Sequence, residues 1–110
     1  MKIEIDEIVV KVKLTEGKLK AIIALDFGEF VLHGFRIQDS QYDNEKGQKL
    51  WITPPAYLGG GKYHPMVFFP DKILWERIQT KIWNSFDEAM KVRLTKAYNL
   101  SEAEADEYLK

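Results

Sequence analysis

The sequence contains no cysteine, which excludes disulfides, thiolate metal sites and cysteine nucleophiles. The absence is also typical of proteins that are kept in a reducing compartment. No apolar run approaches the roughly 20 residues that a membrane-spanning helix needs. The N-terminus alternates charged with aliphatic residues, unlike a signal peptide. We therefore expect a cytoplasmic protein with no membrane partner.

Neither sign of charge is in excess, since 16 basic residues face 17 acidic ones and the formal net charge is −1. Bulk charge therefore does not identify a nucleic-acid-binding protein. The acidic residues are unevenly placed, because residues 101–110 carry a net charge of −3 and leave residues 1–100 at +2. With 110 residues and 45% apolar content, the chain is sized and composed for a single globular domain.

Apolar residues that alternate with polar ones predict β-strands in the first seventy residues. Lys11 and Lys13 fall on the polar side of the first strand. Turn residues separate the strands, and Pro54 ends the fourth because proline cannot donate to a sheet. We expect residues 57–63 to form a flexible loop. The expected strands cover residues 3–14 with a bulge at 6–7, 19–27, 30–37, 50–53 and 66–69.

A long helix is predicted over residues 71–98, with Asp71 as its N-cap. Apolar residues recur at helical spacing after Asp71, and Trp83 widens their arc to about half the circumference. One sheet face rarely needs so wide an arc, so we expect Trp83 to contact a second copy of the chain. A capping-box pattern then predicts a short acidic helix over 101–110. The whole is an α+β fold: an antiparallel β-meander of four to five strands over residues 2–69, and a long helix completing a domain of residues 1–100.

The residues give no recognisable catalytic centre. Asp26 and Glu29 flank a turn, where acidic residues are common. His33 and His64 are the only histidines and lack the spacing of a metal site. Because His33 stands in an apolar strand, we expect it to have a buried structural role. No serine lies in a nucleophile elbow. We expect no enzyme activity, no metal and no cofactor.

Basic residues raise the possibility of nucleic-acid contact. The run from Gly59 to Lys62 lacks the frame of a phosphate-binding loop, but a flexible loop could bring Lys62 and Tyr63 to a polyanion. Plain loop flexibility is the alternative. The long helix carries Lys72, Arg77 and Lys81, with the tyrosines of the loop nearby for base stacking. A solvated helix face has the same pattern, so the residues alone leave both interpretations open.

Residues 18–39, KLKAIIALDFGEFVLHGFRIQD, resemble the core of the stage V sporulation protein G (SpoVG, septation protein) family. Leu50–Thr53 followed by Pro54 is similar to the family's next strand, and the helix after Asp71 corresponds to its C-terminal helix. The resemblance covers about residues 2–86. The matching elements within the core are Lys20, Ala21-Ile22, Leu25-Asp26, Phe30-Val31, His33 and Arg36-Ile37.

The resemblance implies a small sheet-plus-helix fold and a homodimer formed through the sheet. It also implies a bacterial regulator that binds DNA and RNA. We expect this binding to be non-catalytic and to have a weak sequence preference. By position, Lys62 would lie in the basic loop before the helix, and the helix would contribute Lys72, Arg77 and Lys81. The family has a Ser-Lys-Arg-like stretch where this chain has residues 55–57, Pro-Ala-Tyr. A protein–protein adaptor that never touches nucleic acid is the alternative function.

Overall fold

A computed structural model describes residues 3–98. Four strands form one antiparallel sheet in the order β1-β2-β3-β4, a separate hairpin pairs β5 with β6, and one long helix follows. The α+β prediction is confirmed, and the acidic helix predicted over 101–110 lies outside the described residues. The elements are a 3-10 turn at Ile5–Glu7, β1 (Val9–Leu14), β2 (Leu19–Asp26), β3 (Val31–Asp39), β4 (Leu50–Thr53), β5 (Ala56–Gly59), β6 (Lys62–Pro65) and α1 (Lys72–Tyr98).

The helix begins where its cap residue predicts. One carboxylate oxygen of Asp71 accepts hydrogen bonds from the backbone N–H groups of Ile73 at 3.0 Å and Leu74 at 3.1 Å. These N–H groups have no partner inside the helix, so the carboxylate satisfies donors that would otherwise face only water. The interaction fixes the point at which the chain turns from the hairpin into the helix.

The core lies between the helix and one face of the four-stranded sheet. Period-two alternation turns every second strand residue towards the helix, and helical spacing presents the matching apolar stripe. Burying such side chains is the main favourable term in folding. The buried residues are Ile8, Ala21, Ile23, Leu25, Phe35, Ile37 and Ile52 from the sheet side, and Ile78, Ile82, Trp83 and Phe86 from the helix.

The other face of the sheet has no helix against it, because the only helix described packs on the core side. We call this surface the open face. Its side chains come from the strand positions that alternate with the core. They are Val9, Lys11, Lys13, Ile22, Ala24, Asp26, Val31, His33, Arg36, Gln38, Trp51 and Thr53.

The wide apolar arc of the helix is buried against other parts of the same chain. Trp83 is only 2% exposed and packs edge-on against Phe86, with ring centroids 6.4 Å apart. The expectation that Trp83 forms a contact with a second copy is therefore wrong. The long loop of residues 40–49 lies along the helix, where Lys46 Nζ contacts Asn84 and Asp87, both at 2.7 Å.

Three local predictions are also wrong. Residues 57–63 are not a flexible loop but most of a tight hairpin, β5-β6. Residues 66–69 contain no strand, because the last strand ends at Pro65. The first strand starts at Val9, and the preceding isoleucines lead into a 3-10 turn.

Within residues 3–98, no helix is long and apolar enough to cross a membrane.

Candidate nucleic-acid interface

A cationic row crosses the middle of the open face. Cross-strand pairing places Lys13 opposite Ile22, and Ile22 opposite Arg36, so the two cations flank one apolar residue. Two strand spacings separate their backbones by about 10 Å. Among the described residues, neither Lys13 nor Arg36 makes an ion pair or a side-chain hydrogen bond. Both charges are therefore available to a polyanion.

Little negative charge opposes this row. Asp26 is the one carboxylate among the open-face residues as defined above, and its Oδ2 lies 3.6 Å from Lys11 Nζ. Its Oδ1 accepts the backbone N–H of Gly28 at 2.8 Å, which is the turn role expected from the sequence. Trp51, paired with Gln38 at the β4 edge, is 60% exposed. The open face therefore combines unpaired cations with an exposed indole.

A β-bulge places His33 on the open face. The register of β2 with β3 shifts between Ile23 and Leu25, so β3 carries an extra residue at His33-Gly34. Gly34 has φ +97°, a conformation that residues with a side chain rarely adopt. His33 and Arg36, three apart, consequently reach the same face. The expectation that His33 is buried is wrong, because the bulge turns it to solvent.

A cavity of about 610 Å³ opens beside the bulge. Strand β4 pairs only with the last four residues of β3, and the chain then leaves the sheet at Pro54 and Pro55. The hairpin that follows lies beside the part of β3 that has no β4 partner, since residues of both line the cavity. The lining residues are His33, Gly34, Arg36, Gln38, Thr53, Pro54, Pro55, Ala56, Tyr63 and Met66, none of them acidic.

The hairpin holds Tyr63 at the rim of this cavity. Its turn residues Gly60 and Gly61 have φ +61° and +78°, and positive φ at both positions is what a type I′ hairpin turn requires. Tyr63 pairs with Leu58 and is 76% exposed. Tyr57 lies on the other side of the hairpin and stacks on His64, with centroids 5.0 Å apart. Of the two tyrosines considered for stacking, only Tyr63 lines the cavity.

The helix cations predicted from the sequence do not form one stripe. At about 100° per residue, Lys72 and Lys81 lie on opposite sides of the helix. Lys81 Nζ donates a hydrogen bond to the backbone oxygen of Ile5 at 2.7 Å, so it serves the fold. Arg77 is exposed on the side of the helix away from the sheet. Because the core and the sheet lie between the helix and the open face, Arg77 cannot share a flat surface with the open face.

One flank of the helix borders an acidic groove of about 410 Å³. Asp43, Glu45 and Glu76 are among its lining residues. Both carboxylate oxygens of Glu45 accept the Thr80 hydroxyl at 3.1 Å, and Asp43 lies 3.6 Å from Lys49 Nζ. A phosphate backbone would be repelled here. The described surfaces thus include a cationic open face and an acidic helix flank, and Trp51 at the β4 edge borders both.

Comparisons of the chain with protein-family models, with curated proteins and with solved structures give no match. Within residues 3–98, no three histidine, cysteine or acidic side chains converge to hold a metal ion. His64 instead lies with its Nε2 2.9 Å from the backbone oxygen of Gly59, inside the hairpin.

Sequence reasoning missed Arg36, His33 and Trp51 as candidate site residues. The period of two in β1 did place Lys11 and Lys13 on the polar side. The same alternation marks Trp51, because it stands between the inward-facing residues Leu50 and Ile52. The bulge that brings His33 and Arg36 together had only one sequence signal, a glycine inside a strand.

Proposed function

We propose that this chain is a non-catalytic nucleic-acid-binding regulator that contacts single-stranded DNA or RNA through its open face. The observation that carries the proposal is the unneutralised Lys13-Ile22-Arg36 row on a sheet surface without a covering helix. Single strands bind to surfaces that combine backbone-tracking cations with aromatic stacking platforms. Tyr63 supplies such a platform at the cavity that Arg36 lines. Trp51 supplies a second at the β4 edge, where it also borders the acidic groove. Lys62 is exposed at the start of β6, but it alternates with Tyr63 and therefore lies on the Tyr57–His64 side of the hairpin, away from the cavity.

The resemblance to the SpoVG family supports the same function. The resemblance places the binding residues on the helix, whereas we propose the open face as the binding surface. A flat sheet admits unstacked bases, whereas a duplex groove is usually read by an inserted helix or ribbon. The two cations of the row neutralise few phosphates, and stacking on an aromatic ring accepts any base. We therefore expect weak binding with little sequence preference and a clear dependence on salt.

The test measures fluorescence anisotropy of a labelled single strand over a series of salt concentrations. Each phosphate that a protein neutralises on a single strand contributes about −0.7 to the log–log slope. The pair Lys13→Gln/Arg36→Gln should reduce the steepness by about 1.4. The matched pair Lys72→Gln/Arg77→Gln, on the helix, should leave it unchanged. A reduction with the helix pair alone would move the interface to the helix.

The alternative function is a protein–protein adaptor, and one observation favours it. Leu58, Met66, Phe68 and Ile73 are each more than 60% exposed, and exposed apolar side chains often mark protein-binding surfaces. If the wild-type chain shifts neither DNA nor RNA at low salt, the regulator proposal fails and the adaptor takes its place. A partner captured equally well by the Lys13→Gln/Arg36→Gln variant would support the same conclusion.

A further inference from the structure

We infer that the cavity between β3 and the hairpin is a nucleotide subsite, which takes one unstacked nucleotide of the bound strand. The inference rests on the proposed function and specifies one contact within it. The volume of the cavity, about 610 Å³, lies in the range of small-molecule sites. The site would hold the planar base against Tyr63 and the phosphate against Arg36.

The lining of the cavity matches the two chemical parts of a nucleotide. Arg36 offers a fork of N–H donors that suits phosphate oxygens, and it has no partner among the described residues. His33 lies on the same side because of the bulge. Tyr63, Pro55 and Met66 provide apolar and aromatic surface for the face of a base. Charge and stacking therefore converge in one depression.

Polar groups on the cavity wall can contact the edge of the base. The Thr53 hydroxyl donates to the side-chain oxygen of Gln38 at 3.2 Å, which leaves the Gln38 amide N–H groups free to donate. No carboxylate lines the cavity, so nothing there repels a phosphate. A cationic peptide would find no counter-charge, whereas an anionic planar ligand finds both charge and stacking surface.

The positions of the walls are fixed by backbone geometry. Pro55 stands directly over Gly34, where a Cβ would lie 3.6 Å from the proline ring. The backbone N–H of Met66 donates to the oxygen of Pro55 at 2.8 Å, which ties the end of the hairpin to its start. The cavity is therefore held by the same contacts that hold the hairpin, and ligand binding does not have to order a loop.

The experiment compares three variants on one short labelled single strand, again over a series of salt concentrations. Tyr63→Ala should weaken binding about 10-fold with an unchanged salt slope, because stacking releases no counterions. Arg36→Gln should weaken binding and reduce the slope by about 0.7. Tyr63→Phe keeps the ring and should bind within about 2-fold of wild type. Since Tyr63 is 76% exposed, its replacement should leave the fold intact.

Photocrosslinking with a thiouridine-substituted strand locates the base independently. Crosslinked peptides that include Tyr63 or Met66 support the subsite, whereas crosslinks confined to the helix overturn it. Full binding by Tyr63→Ala, while Arg36→Gln still reduces the salt slope, would overturn the subsite as well and leave the proposed function standing. The converse is also distinguishable. If no strand binds but uridine monophosphate shifts the NMR signals of His33 and Tyr63, the site takes a free nucleotide and the proposed function fails.

Discussion

Lys81 Nζ donates a hydrogen bond to the backbone oxygen of Ile5 at 2.7 Å, joining two residues that are 76 positions apart in the chain. The ammonium lies partly buried between the helix and the 3-10 turn at Ile5–Glu7. The bond closes the N-terminal segment over the end of the core next to Ile8. A lysine that the sequence pattern offers to nucleic acid is thereby a structural residue.

We predict that Lys81→Met lowers the free energy of unfolding by about 1–2 kcal/mol, because a hydrogen bond from a charged donor is lost at a partly buried site. The nucleic-acid salt slope should not change. Arg77→Met, one turn away and exposed, is the control and should unfold like wild type. Urea denaturation measures both. Equal stability of the two variants would show that the Lys81 bond contributes nothing.

The tryptophans give a matched pair for a second prediction. Trp83 is 2% exposed and Trp51 is 60% exposed. Trp83→Ala should destabilise the fold by about 3–5 kcal/mol because it leaves a large cavity in the core. Trp51→Ala should change stability by less than about 0.5 kcal/mol, while it weakens binding of a single strand. Thermal melts followed by circular dichroism would contradict this prediction if the two variants melted together.

The regular parts of the fold could be predicted because each has a local cause. The alternation of apolar and polar residues predicted β1 and β4, and Pro54 ends β4 at Thr53. The Asp71 cap fixed the start of the helix. These signals depend on neighbouring residues only. The burial of Trp83 within one chain could not be predicted in the same way. It depends on core residues that are distant from Trp83 in the sequence.

The candidate site depended on two features that local pattern describes poorly. A bulge shifts which residues share a face, so a regular alternation through Gly34 places His33 with Phe35 on the buried side. The hairpin depends on two consecutive glycines, Gly60 and Gly61, that also suit a flexible loop. A two-glycine turn between paired strands is a known hairpin signal. The interleaving of aromatic and small residues around it concealed the strands.

We predict that the chain forms a homodimer through the exposed apolar side chains of Phe68 and Ile73, which do not line the cavity. The edge strands of the sheet are a further route to self-association. Light scattering should give twice the chain mass of 12.8 kDa. Phe68→Asp/Ile73→Asp should return it to a single copy without loss of stability, since these residues are 80% and 64% exposed. Val92→Asp, on the helix, is the control. A wild-type monomer at tens of micromolar would contradict the prediction.

The hairpin turn permits a last prediction that links conformation to binding. Gly60→Asn creates an Asn-Gly turn, which type I′ hairpins favour, and should keep the hairpin. Gly61→Val places a β-branched residue at φ +78° and should open it. Proton–proton contacts between the stacked rings of Tyr57 and His64 report the difference by NMR.

Because much of the hairpin is exposed, Gly61→Val should change global stability by less than about 1 kcal/mol. Its affinity for a single strand should nevertheless fall as far as that of Tyr63→Ala, since an open hairpin no longer holds Tyr63 at the cavity. Gly60→Asn should bind like wild type. If Gly61→Val loses the ring contacts but keeps full affinity, Tyr63 acts from a mobile loop and the hairpin has no part in recognition.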